Sequence, residues 1–228
     1  MLSKGQISFI NSLQQKKFRK LEGLFIAEGE KIVDDLLASS FIIKTIVATE
    51  PFIEEHHRKN KSAEWIEVTE NELQKISSLT TSNKALAVVR IPPYQIDENE
   101  IADSLSLVLD GISDPGNLGT IIRIADWFGI QNIICSDDTA DCYNSKAVQA
   151  SMGSLFRTKV HYENLEIFLE RNQELIKLEV FATMLDGENI YTSDLPSAGL
   201  ILLGNESKGI REELKKYFSH TLFIPSHS

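Results

Sequence analysis

The sequence predicts an α/β protein: a parallel sheet with helices on both faces, preceded by a smaller α/β unit. Three observations point there. From Ser104 onward, six apolar runs (LSLVLD, NIICS, TKVHY, EVFATML, LILLG and TLFIP) alternate with helical patterns, as in sheets whose strands are joined by helical crossovers. Two of these runs, within SLVLDGISDPGNLGTIIRIADWFG (Ser106 to Gly129) and GLILLGNESKGIREEL (Gly199 to Leu214), lead through a glycine-bearing turn into a helix. Finally, IPPYQIDENEIADS (Ile91 to Ser104) joins paired prolines to an acidic run and reads as a linker.

Taken in order, LFIAEG, IIKTIVATE, EWIEVT and LAVVRI are predicted strands of the first unit, with helices near Glu30 to Ser39 and Glu70 to Ser78. The predicted division is 1–95, a linker over 96–103, and 104–228. In the second region, helices are predicted near Leu118 to Phe128, Ser145 to Gly153, Leu165 to Leu178 and Ile210 to Phe218.

Composition narrows the class only slightly. At 228 residues the chain can bury one large or two small cores. It has no run of eighteen apolar residues, and its start lacks the apolar stretch and cleavage site of a signal peptide, so the expectation is a cytoplasmic protein with no membrane contact. Cys135 and Cys142 match no zinc or CxxC spacing and read as reduced thiols; the histidines form no ligand spacing, so no metal is expected. The net charge of -10 argues against nucleic acid as a bulk property. Its distribution does not: between Met1 and Leu21 stand Lys4, Lys16, Lys17, Arg19 and Lys20 with no acidic residue, beside Phe9 and Phe18. Lys16, Lys17, Arg19 and Lys20 are candidate contacts to RNA phosphates. The plainer reading is a solvated amino-terminal helix.

The two turns carry the chemistry. Asp110-Gly111 ends the first strand, and Asn117 stands where an N-cap is expected. On the helix that follows, Leu118, Ile121, Ile122, Ala125 and Gly129 share one face and Arg123 points away from it. Arg123 lies about 9 Å from Asn117 along the axis, so one polar substrate could touch both. The structural alternative is a cap and a surface charge. At the second turn Gly204, Asn205, Glu206 and Gly209 form a tight corner, where glycines let a ligand such as adenosine approach main-chain groups. No GxxxxGK[ST] occurs and Gly111, Gly116 and Gly119 miss the GxGxxG spacing, which disfavours ATP hydrolysis and a standard NAD site.

These residues resemble the SpoU/TrmH RNA ribose 2'-O-methyltransferases of the SPOUT superfamily. The family's first motif is matched by Asn117-Leu118-Gly119 with Arg123, and the second by LLGNESKG with Gly204, Glu206 and Gly209. SKAVQASMGSLFRTKV (Ser145 to Val160) is similar to the intervening helix and strand, with Ser151 and Gly153 at small-residue positions, and FRKLEGLFIAEGEKIVDDLL to the start of the RNA substrate-binding domain. The resemblance implies a SPOUT-type α/β knot catalytic domain over 104–228 behind an RNA-binding domain over 1–95. It implies S-adenosyl-L-methionine as cofactor, methylation of a ribose 2'-hydroxyl in rRNA or tRNA, and a homodimer. The implied cofactor contacts are Thr183, Met184, Leu185, Gly204, Asn205, Glu206, Gly209 and Ile224; the implied catalytic residues are Arg123, Asn117 and Glu206. Because a guanidinium does not act as a base near neutral pH, Arg123 is expected to bind phosphate and stabilise developing charge.

The family's third motif begins at LFIPSHS, and the sequence stops at Ser228, before the Ser-Leu-Asn segment and knotted helix that the family pattern continues into. The expectation is a shortened carboxyl end with weakened cofactor binding. TTSNKALAVV also lacks the glycine common before the last strand of the substrate domain, which leaves RNA specificity open. Two competing readings stand beside this one: a non-catalytic RNA-binding protein that kept the fold, and a generic nucleotide-binding α/β protein with phosphate at the Gly111 to Gly119 turn.

Overall fold

The computed structural model describes residues 2–80 and 83–225. It forms two compact units that are not contiguous in sequence. One gathers the segment up to Pro93 with Gly119–Arg123 and Asp141–Arg157; the other holds Tyr94–Leu118, Ile124–Ala140 and the chain from Thr158 onward.

The first unit opens with α1 (Lys4–Ser12), whose start is closed by a capping box: Gln6 N donates to Ser3 Oγ at 3.2 Å and Ser3 N to Gln6 Oε1 at 2.9 Å. Next, α2 (Lys16–Glu22) ends on Gly23, whose φ of +64° lets the chain reverse into β1 (Leu24–Glu28). There follow α3 (Glu30–Leu37), β2 (Ile43–Ala48), α4 (Glu50–His56), β3 (Glu64–Glu67), α5 (Glu70–Leu73) and β4 (Ala85–Arg90). All four predicted strands are present, in the order β1-β4-β2-β3, with β4 antiparallel to both neighbours and β2 parallel to β3. Leu24, Ile26, Val47, Leu86 and Val88 bury one face of this sheet against Ile10, Leu13, Leu73 and Ile76. The helix predicted to Ser78 stops earlier because the following residues wrap the buried Glu28. Its carboxylate accepts hydrogen bonds from Ser77 Oγ, from Ser78 N at 3.0 Å and Oγ at 2.8 Å, and from Asn83 Nδ2 at 2.8 Å. A charge taken out of water needs donors of this kind in place of its hydration.

Beyond Pro93, α6 (Glu98–Ala102) occupies the segment expected as a linker, capped by Asp97 and burying Ile101 in the second core. The remaining elements are β5 (Leu105–Leu109), α7 (Pro115–Trp127), β6 (Asn132–Cys135), α8 (Ser145–Ser151), β7 (Lys159–Tyr162), α9 (Leu165–Arg171), β8 (Val180–Asn189), β9 (Gly199–Leu203) and β10 (His220–Phe223). The helix predicted to Leu178 gives way to a π-turn over Asn172–Ile176, and the one predicted near Ile210 to Phe218 is a 3-10 helix over Glu212–Tyr217. Every strand of the second sheet is parallel, in the order β10-β8-β9-β5-β6-β7, so the predicted parallel α/β layer is present. Val108, Ile134, Val180 and Leu202 pack under Leu165, Phe168, Leu169 and Leu214. Within the first unit the middle of α7 lies directly on α8. A Cβ on Gly119 would stand 2.5 Å from Ala147 O and 2.6 Å from Ala150 Cβ, so only glycine permits this approach.

One irregularity shapes the second unit. Thr221 of β10 pairs with Ala182, but the next residue, Leu222, pairs with Glu188, so residues 183–187 bow out of the ladder. At Gly187 the chain returns so close to β10 that a Cβ would meet the Leu222 backbone at 2.5 Å.

Candidate active site

The second unit has its strand carboxyl ends on one edge, where turns leave a parallel sheet and ligands commonly bind. Two of those turns, after the neighbouring strands β5 and β9, are tied to each other at three points. At the base, Asp110, 1% exposed, accepts from Arg211: Oδ2 from the backbone N at 2.8 Å, and Oδ1 from Nε at 2.6 Å and Nη2 at 2.5 Å. The pair holds the Arg211 guanidinium further above its ordinary pKa. Arg211 also reaches Asp138 at 3.4 Å, whose carboxyl is held below its usual range by the Ser136 hydroxyl first and by Arg211 second. Above this pair, Asn205 Nδ2 donates to Gly111 O at 2.7 Å while its Oδ1 accepts from Ser207 N and Lys208 N. At the outer end, Asn117 Nδ2 donates to Glu206 Oε1 at 2.7 Å.

The corner itself is built by glycines. Asn205 and Gly209 bridge antiparallel through two main-chain bonds of 3.1 and 2.9 Å, with Gly209 at φ +69°. A side chain on Gly204 would collide with the Gly209 backbone. Beside the corner lies a cleft of about 670 Å³, walled by the bow of β8 (Thr183, Met184, Leu185, Asp186), by residues 204–210, and by Lys215, Phe223 and Ile224. Thr183 Oγ1 donates to Leu202 O at 3.1 Å and anchors the bow to β9. The volume is that of a small-molecule site.

Two neighbouring strand–turn–helix motifs tied to each other, the second of them lining a glycine-bearing cleft, decide the assignment, together with a family model for the SpoU rRNA methylases that matches residues 104–228. The chain belongs to the SpoU rRNA methylase family. A second model, the MRM3-like substrate binding domain, matches residues 4–87. This SpoU-family chain is 29% identical over 221 residues, 93% of its length and 84% of the relative's, to a 23S rRNA (guanosine(2553)-2'-O)-methyltransferase of Bacillus subtilis. Among solved structures, a TrmH-family protein from Porphyromonas gingivalis is 34% identical, with a TM-score of 0.89 over 100% of this chain and 90% of the other. An rRNA methyltransferase from Sinorhizobium meliloti, solved with AdoMet bound, is 30% identical, with a TM-score of 0.86 over 100% of this chain and 88% of the other.

The structure brings all eight expected cofactor contacts, Thr183, Met184, Leu185, Gly204, Asn205, Glu206, Gly209 and Ile224, onto the one cleft. It also joins Asn117 to Glu206. Arg123 lies on the exposed side of α7, and its guanidinium makes no hydrogen bond or ion pair among the described residues. Two expectations are corrected. Asn117 is not the N-cap: Asp114 is, its carboxylate accepting from Gly116 N at 2.7 Å and Asn117 N at 3.0 Å, with Pro115 as the first helical residue. That frees the Asn117 side chain for Glu206. Arg19 is not an RNA contact: it is 2% exposed, paired with Asp141 at 2.6 Å, and donates to the carbonyls of Leu13 and Gln14. Lys16, Lys17 and Lys20 remain exposed. Of the third motif, Ser226 to Ser228 lie outside the described residues, as do Thr81 and Ser82 of TTSNKALAVV.

Sequence reading took Asp110 only as the end of the first strand and did not single out Arg211; Thr183 to Leu185 read as strand by pattern and were reached as cofactor contacts through the family resemblance. The available signal was an aspartate ending an otherwise apolar strand and an arginine two residues beyond the corner glycine.

Proposed function

We propose that this chain transfers a methyl group from S-adenosylmethionine to a ribose 2'-hydroxyl of rRNA or tRNA. The observation that carries this reading is the hydrogen bond from Asn117 to Glu206, a residue of the glycine-lined cleft. The cleft fits the cofactor: residues 183–186, bowed out of the strand ladder, and the glycine corner over 204–210 line it at the size of a small molecule, and the Asp186 and Glu206 carboxylates complement a cationic ligand. When bound, S-adenosylmethionine supplies an electrophilic methyl on a sulfonium.

A ribose hydroxyl is a weak nucleophile, so the chain's work is orientation and charge stabilisation. Arg123 binds the substrate phosphate and the negative charge that develops on the ribose oxygen, which a permanently cationic fork does well and a base could not. Asn117 and Glu206 fix the substrate turn against the cofactor corner, and Lys16, Lys17 and Lys20 hold RNA phosphates. The functional division is a substrate-binding domain over 1–95, a connecting segment over 96–103 and a methyltransferase domain over 104–228, supported by the two family models. The protein works as a homodimer, supported by the exposed apolar run Ile124, Trp127 and Phe128 on and just beyond α7. It acts in the cytoplasm, where Cys135 and Cys142 stay reduced; no described helix is long and apolar enough to cross a membrane. A non-catalytic RNA binder leaves the cleft and the Asn117–Glu206 contact without a purpose.

Arg123→Ala is expected to abolish labelled-methyl transfer while leaving S-adenosylmethionine affinity by calorimetry within about twofold of wild type, since it removes a transition-state contact and no cleft residue. Equal loss of both would contradict the assignment.

A further inference from the structure

Resting on RNA as the substrate, we propose that RNA phosphates also bind one edge of the amino-terminal sheet, through Arg58, Lys61 and Arg90 beside Lys20. The strand register defines that edge. Ile91 N donates to Gly23 O and Arg90 N to Ile42 O, each at 2.9 Å, and Thr45 of β2 stands opposite Glu64 of β3. The starts of β1, β2 and β3 and the end of β4 therefore lie side by side. Helix α2 arrives at this edge through Gly23, and α4 returns the chain to it through HHRKNK (His56 to Lys61). Four strands at about 4.8 Å make an edge about 15 Å long, enough to follow successive phosphates of one RNA strand.

The edge also carries the carboxylates of Glu22 and of Glu64, which accepts from Thr45 Oγ1 at 3.2 Å, so its six cations outnumber these two and Asp34, and they divide by partner. Lys59 is engaged by Asp34 at 2.5 Å, and Lys44 stands over the Phe9 ring at 5.4 Å. Lys20, Arg58, Lys61 and Arg90 are exposed and make no ion pair among the described residues. The opposite edge, where β2 and β3 end, carries the carboxylates of Glu50, Glu67, Glu70 and Glu72 around a pocket whose one cation among the described residues, Lys84, is paired with Glu30 at 2.9 Å. A polyanion is drawn to the first edge and turned from the second, although the whole chain is acidic. The basic turn is also fixed in advance. Asn60 Oδ1 accepts from Ser62 N at 3.1 Å, Ser62 Oγ at 2.8 Å and Ala63 N at 3.1 Å, and Trp65 Nε1 donates to Asn60 O at 2.9 Å. Arg58 and Lys61 thus flank a turn that loses little freedom when an anion binds.

Binding of a labelled 23S rRNA transcript at a series of KCl concentrations tests the proposal, with a wild-type circular-dichroism spectrum and thermal melt as the check that each variant is folded. Arg58→Gln/Lys61→Gln/Arg90→Gln is expected to lower the slope of log K against log[salt] by about 2, the share of three phosphate contacts. Lys31→Gln/Lys75→Gln/Lys177→Gln removes the same charge elsewhere and is expected to leave the slope near wild type. A wild-type slope in the first variant, or an equal drop in the second, overturns the proposal alone. Loss of polyglutamate binding with rRNA binding intact assigns the edge to an acidic protein and also overturns it. Failure of the wild-type chain both to bind and to methylate rRNA removes the proposed function and this inference with it.

Discussion

Asn117 Nδ2 and Glu206 Oε1 meet at 2.7 Å although 89 residues separate them in sequence. The bond joins the first turn of α7 to the corner after β9, so the two turns are held to each other. Both side chains are exposed, which limits the bond to about 1 kcal/mol, below the usual worth of a charged hydrogen bond. Asn117→Ala and Glu206→Gln are each expected to slow methyl transfer, and the double variant to be less than the product of the two. Kinetics that multiply without coupling would show that the contact has no part in the reaction.

Arg211 holds the other end of the corner. Removing one partner of a buried pair leaves an uncompensated charge, so Arg211→Gln strands Asp110 and is expected to cost about 3 kcal/mol, less any share recovered by water around the half-exposed arginine. Melting temperature falls and the dissociation constant for S-adenosylmethionine rises together, because the corner that lines the cleft is released. Asp110→Asn/Arg211→Gln recovers stability by removing both charges. Thermal melts showing the double variant no better than Arg211→Gln alone would refute the pairing argument. Arg211→Lys is expected to rescue only in part, since one ammonium cannot replace the fork.

His161 gives the stability a pH dependence. It is 5% exposed on β7, with Nε2 donating to Asn132 Oδ1 at 3.1 Å. Burial first, then the nearby Lys159 charge, push its pKa down to about 4, against a smaller opposing pull from Glu100. The unfolded chain takes up a proton near pH 6.5 while the folded chain stays neutral, so stability is full above that value and declines as pH falls toward 4. The cost at pH 5 is about 2 kcal/mol. Urea melts of wild type and His161→Gln at pH 7 and pH 5 measure it: the wild type is expected to lose more on acidification. Parallel losses would rule His161 out as the source.

The strands were legible because their burial is written in composition: ALAVV is apolar throughout and LSLVL apolar but for the buried Ser106, as expected of strands covered on both faces. Less legible were features decided by long-range contact. Arg19 looks like any cation in a basic segment until Asp141, 122 residues away, buries it. Asn117 looks like a cap because Asn, Asp and Ser compete for that position, and only the chain's entry angle, set by Pro115, gives the role to Asp114. The bow at residues 183–187 depends on a register jump in β10, which no local pattern encodes. The eight cleft residues were reached by family resemblance, since main-chain recognition leaves almost no signature in side chains.

The most direct test is to incubate the chain with S-adenosylmethionine and unmodified 23S rRNA or tRNA transcripts, and to map ribose methylation by resistance to alkaline cleavage. The account predicts a discrete 2'-O-methyl nucleotide that appears with the wild-type chain and not with Arg123→Ala. Methyl groups found only on bases, or a protected site made equally by Arg123→Ala, would contradict it.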